Sequence, residues 1–176
     1  MLMGVFSFFK GKTNDALATV FTVVEKSMYN IDIPISKEGR FEVAMFDIWL
    51  GTMLIEEQNI DIDYRLMQDR IEVYLKQIAS KLGLPAEKKH ERIYLFRIEG
   101  WEQDIMGLIH SDYPRTKQFL PAYMYLCIVA KPLLVFDEET TEKKINEIPA
   151  SELVEFLKPF CDHYSCLVKT IMKSIK

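Results

Sequence analysis

Three groups of residues combine types and spacings that could do chemistry. The most metal-like is Cys161-Asp162-His163-x-x-Cys166, because thiolate and imidazole are the preferred ligands of zinc. On a helix His163 and Cys166 are neighbours at i and i+3, whereas Cys161 falls with Leu157, Tyr164 and Val168 on the apolar face. The two thiols then point to different sides, and a zinc site would need ligands from elsewhere. Cys161 reads as a core thiol and His163 as a surface or interface histidine. The second group, Glu87-x-x-His90, has the spacing of carboxylate-bridged di-iron bundles, which need a second such motif and two further carboxylates. Gly107 stands at that offset before His110 and Phe160 before His163, so no second copy exists. Glu87 and His90 lie in a polar run to Arg92 and read as a solvated helix face. Neither a metal nor a cofactor is expected.

The third is a single residue, Asp47, set between Phe46 and Ile48 with Val43, Gly51 and Leu54 on the same side. A carboxylate desolvated there must be paired or hydrogen-bonded, or its pKa must rise. Arg97, itself between Phe96 and Ile98, and the hydroxyls of Tyr123 and Tyr125 are the candidate partners. A perturbed acid in a pocket would be a ligand anchor or a catalytic group. No nucleophile elbow, P-loop, dinucleotide fingerprint, zinc-protease motif or kinase signature accompanies it. None of His90, His110 and His163 adjoins a plausible nucleophile, so no catalytic residue is assigned.

Two acidic clusters offer recognition instead of chemistry. Glu56, Glu57, Asp61 and Asp63 gather at a helix end and the loop after it, and Asp137, Glu138, Glu139 and Glu142 form an acidic linker. Clustered carboxylates steer a basic partner toward its docking site.

These residues need helices to position them. Leu17, Val20, Phe21, Val24 and Met28 share one face of a first helix, roughly Asn14 to Met28. A second, Gly39 to Gln58, is apolar almost all round, the pattern of a helix in the middle of a bundle. A third, Asp63 to Leu82, has a stripe of Met67, Ile71, Tyr74, Ile78 and Leu82. It stops at Gly83-Leu84-Pro85, where Gly takes the left-handed position and Leu84 the apolar cap contact. Pro85 can open a fourth helix carrying Tyr94, Ile98, Trp101, Ile105 and Leu108, with a break or close crossing near Gly100. The segment Pro114 to Phe136 contains the longest apolar run, Phe119 to Ala130, with Pro121 and Pro132 placed to kink or divide it. A last helix runs from Pro149 or Ser151 to the end. The tetrad Asn-Ile-Asp-Ile occurs at Asn30–Ile33 and again at Asn59–Ile62, each after a helix. Its mechanism is local: Asn ends a helix in the left-handed conformation, Ile packs back, and Asp caps the next helix.

The whole chain bounds the remaining choices. Its 176 residues make one domain, 1–176, with 49% hydrophobic residues to build a core. A net charge of −4 argues against binding nucleic acid or anionic membrane surfaces. Three cysteines without framework spacing suit a reducing compartment. The apolar run Phe119–Ala130 is well short of the roughly twenty residues of a membrane span. Residues 1–12, rich in Phe, lack a signal-peptide pattern; they either fold onto the core or form an exposed handle, and exposed apolar clusters are uncommon on soluble monomers. The expectation is an all-α, irregular bundle of about six helices around an apolar central helix, located in the cytoplasm. Its expected work is non-catalytic protein–protein binding, for which an acidic immunity- or antitoxin-like inhibitor of a basic partner fits the physics. The alternative is a helical small-molecule-binding protein or enzyme whose apolar pocket is anchored by Asp47.

Overall fold

Helix ends are set by local chemistry that can be traced residue by residue. The computed structural model describes residues 3–29, 35–60, 63–85, 90–110, 112, 114–130 and 149–175. Ser36 caps α2, Lys37–Glu57, by accepting a hydrogen bond from the Gly39 amide at 3.1 Å. Asp63 caps α3, Tyr64–Leu82, through the Leu66 amide at 3.2 Å. Both meet donors that the first turn leaves without intrahelical partners. At the far ends Asn59 and Gly83 take positive φ values of 54° and 68°. Ile60 then donates back to Ile55 and Leu84 to Ala79, the paired pattern that closes a helix on a left-handed residue. The second tetrad therefore opens as expected, but its capping carboxylate is Asp63, one residue past it. The first tetrad and Asp61 lie outside the described residues.

Ahead of these runs α1, Met3–Tyr29, longer at its start than the apolar stripe implies. The side chains of residues 1–14, and with them the Phe-rich segment, lie outside the described residues. After α3 come α4, His90–His110, α5, Pro114–Gln118, α6, Leu120–Ala130, and α7, Ala150–Ser174. Pro85 is not helical, and α4 runs unbroken through Gly100, where a Cβ would meet nothing within 4 Å. The close crossing is at Gly51 instead: a Cβ there would stand 2.4 Å from Val20 Cγ1 of α1. The break in the apolar segment falls at Phe119, two residues before Pro121. Proline has no N–H for the Lys117 carbonyl four residues back and its ring crowds that carbonyl, so the preceding turn ends and Pro121 sits in the first turn of α6. Pro132 lies outside the described residues. Within α7 the ring of Pro159 interrupts the helical ladder, a feature the apolar stripe conceals.

The described residues are all-α, with no strand among them. Six helices of eleven or more residues, α1, α2, α3, α4, α6 and α7, carry one hydrophobic core. The all-round apolar helix takes the centre: every residue of α2 from Phe41 to Ile48 is buried, and α1, α3, α6 and α7 pack around it. Phe46 meets Trp101 of α4 edge-on at 5.4 Å. Tyr74 stacks on Phe21 at 4.4 Å and donates its hydroxyl to the Phe21 carbonyl, tying α3 to α1. Among the described residues no helix is long and apolar enough to cross a membrane.

Candidate functional site: a buried carboxylate behind an open cleft

The apolar face of α2 that fills the bundle centre carries Asp47 into it with 0% exposure. Both carboxylate oxygens are used. Tyr125 of α6 donates its hydroxyl to Oδ1 at 2.5 Å, and His163 Nε2 of α7 lies 2.8 Å from Oδ2. A carboxylate only accepts, so Nε2 carries the proton and donates. The walls are aromatic: Tyr125 packs edge-on against Phe46 at 5.2 Å and His163 at 5.1 Å, and stacks with Phe160 at 6.2 Å. Burial, and then the neighbouring Asp47 charge, push the Tyr125 phenol well above its ordinary pKa of 10.0. It therefore stays a donor to Asp47.

Two of the expected partners are corrected. Arg97 pairs with Glu42, not Asp47, with Nη2 2.9 Å from Oε1. Glu42 and Asp47 are five residues apart, which turns them about 140° from each other on a helix. One faces α4 while the other faces α6 and α7. Burial raises the Glu42 pKa, and the Arg97 charge and hydrogen bond oppose that rise. Tyr123 is buried in α6, but it is Tyr125 that bonds Asp47; side chains two apart on a helix diverge by about 160°. His163 is corrected as well, since it is a buried histidine and not a surface one. Its position was readable, for it continues the core stripe of Phe160, Leu167 and Ile171 at helical spacing. Glu42, a second charge inside the most apolar helix, was equally visible.

Cys161 packs partly buried against the core, and burial raises its thiol pKa; Cys166 is exposed. Among the described residues no group of three or more His, Cys, Asp or Glu side chains is placed to hold a metal ion. Glu87 and the side chain of His90 lie outside those residues, as do Asp137, Glu138, Glu139 and Glu142. At the other acidic cluster Glu56 and Glu57 are exposed at the end of α2, and Asp63 is half-buried as a cap. Tyr64 is 60% exposed and donates to Glu56 Oε1 at 2.9 Å, while Met53, one turn back on α2, is 44% exposed.

His163 also lines an open cleft of about 550 Å³ with Ser27 of α1 and Glu155, Pro159 and Cys166 of α7. Two further clefts continue along the α1–α7 seam. One of them shares Ser27 and Cys166 with the first, and the two share Thr19 and Ser174 with each other. Asp47 is screened from the cleft by the imidazole it holds. No family model, curated protein or solved structure matches the chain.

Proposed function

We propose that the protein works by binding another protein and not by catalysis, and that its partner is basic. The observation that carries this reading is the corner where α2 ends and α3 begins. There an exposed Tyr64 and an exposed Met53 are bordered by the carboxylates of Glu56 and Glu57. Aromatic residues and methionine are enriched in protein interfaces, and a charged rim gives a partner its orientation and its rate of approach. An acidic inhibitor of the immunity or antitoxin kind is the form of this reading that the net charge of −4 supports. A cytoplasmic setting accords with the unpaired thiols of Cys161 and Cys166. A small-molecule pocket anchored by Asp47 finds less support, because its oxygens are already taken by Tyr125 and His163.

The test is affinity capture with the tagged full chain and with the double variant Glu56→Lys/Glu57→Lys. A single basic protein should be retained by the first at low salt, lost at high salt, and not retained by the second. Equal retention by both, or retention indifferent to salt, overturns the reading.

A further inference from the structure

We propose that the cleft at His163 is a receptor for an arginine side chain of that basic partner; the identity of the cation as a partner's side chain rests on the reading above. The cleft is built as a set of acceptors. The His163 side chain is 6% exposed and its Nε2–H is committed to Asp47. In the neutral ring the other nitrogen, Nδ1, is then a bare acceptor. His163 forms part of the cleft wall, and with Nε2 turned inward to Asp47 the remaining ring nitrogen is the one left to meet a ligand there. A carboxylate behind an imidazole fixes ring orientation and makes the facing nitrogen a better acceptor.

One turn earlier Pro159 lines the same cleft. Having no N–H, it leaves the Glu155 carbonyl without the donor that residue 159 supplies in a regular helix. The Glu155 carboxylate adds a third acceptor group. Lys158 and Asp162, also in the wall, are bound to each other across one turn and largely cancel. The net lining charge from Glu155, Lys158 and Asp162 is negative.

Acceptors spread over a helix turn suit a guanidinium. Its planar fork carries five donors and is weakly hydrated, whereas an ammonium is a compact, strongly hydrated point charge. The proline inside α7 thus has a role: it leaves a helix carbonyl without its regular donor in the same cleft wall as the oriented imidazole.

The experiment is a nuclear magnetic resonance titration of the full chain, ¹⁵N-labelled at histidine, with N-acetyl-argininamide and with its neutral isostere N-acetyl-citrullinamide. In the neutral His163 ring the proton should sit on Nε2, which donates to Asp47. The Nδ1 resonance should move on adding the arginine compound and not on adding the citrulline compound at equal concentration. Pro159→Ala restores an N–H to the Glu155 carbonyl, so it should raise the melting temperature yet weaken binding about two- to tenfold, the weight of one hydrogen bond. An Nδ1–H tautomer, equal responses to the two compounds, or unchanged binding in a folded Pro159→Ala protein each overturns the proposal. Glu56→Lys/Glu57→Lys should leave this titration unaltered, so failure here is separable from failure of the docking corner.

Discussion

Asp47 has no water to fall back on, and that determines what its removal costs. Asp47→Ala leaves the Tyr125 hydroxyl and the His163 N–H facing a void. Each buried hydrogen bond to a charged group is worth about 1.5–3 kcal/mol, so losing both should cost about 3–6 kcal/mol, and Asp47→Asn, which keeps an acceptor, should cost less. Urea unfolding of the two variants checks the order; a neutral Asp47→Ala, within about 0.5 kcal/mol as at a surface position, would contradict it. Tyr125→Phe should lose about 1.5–3 kcal/mol at neutral pH, the range for a hydrogen bond to a charged group. It also has a pH signature. The Tyr125 phenol titrates near 10.0 when unfolded and well above that when folded. Above pH 10 the unfolded chain therefore binds fewer protons, and stability falls as pH rises through that window. Tyr125→Phe should flatten part of the alkaline limb of the stability curve, a comparison readable from melting temperatures between about pH 9 and 11.

At the scale of elements, two glycines in helices act in opposite ways. Gly51 lets α1 and α2 approach until a Cβ would lie 2.4 Å from Val20 Cγ1, whereas a Cβ at Gly100 meets nothing within 4 Å. Gly51→Ala should destabilise by about 1–3 kcal/mol through overpacking. Gly100→Ala should stabilise by about 0.5–1 kcal/mol, because alanine loses less backbone entropy in a helix. Chemical denaturation of the pair decides whether the α1–α2 crossing is the tight one. A lone Gly in a helical pattern does not say which neighbour, if any, comes near it; Gly100 was the expected crossing and Gly51 is the actual one. The ends were more legible. Gly83 and Asn59 act on groups within a few residues of themselves, so their roles need no knowledge of the rest of the fold; the cap of α3 is just as local, yet it is Asp63 where the tetrad pointed to Asp61.

For the whole molecule, one core runs through six helices, and both tryptophans report from it. Trp101 is buried, Trp49 is half-buried against the same cluster, and their rings lie 6.0 Å apart beside Phe46. Loss of tryptophan fluorescence and loss of helical circular dichroism should therefore coincide in one transition on heating. Coincidence of probes is the mark of a cooperative unit; two separated transitions would show that the helices do not unfold as one.

The sequence by itself determined whatever depends on period and near neighbours. The helices, their caps, the central place of an all-round apolar α2, and the need of Asp47 for a partner all stem from residues within a turn or two. Which partner it took was settled by tertiary structure. The angle of about 140° between Glu42 and Asp47 sends each carboxylate to a different neighbouring helix, so Arg97 goes to Glu42, while Tyr125 and His163 close on Asp47 from α6 and α7. The cleft at His163 belongs to the same category. Pro159, Glu155 and the imidazole share a helix, but only the packing of α7 against α1 and α2 gives that helix a buried carboxylate behind it and an open seam in front.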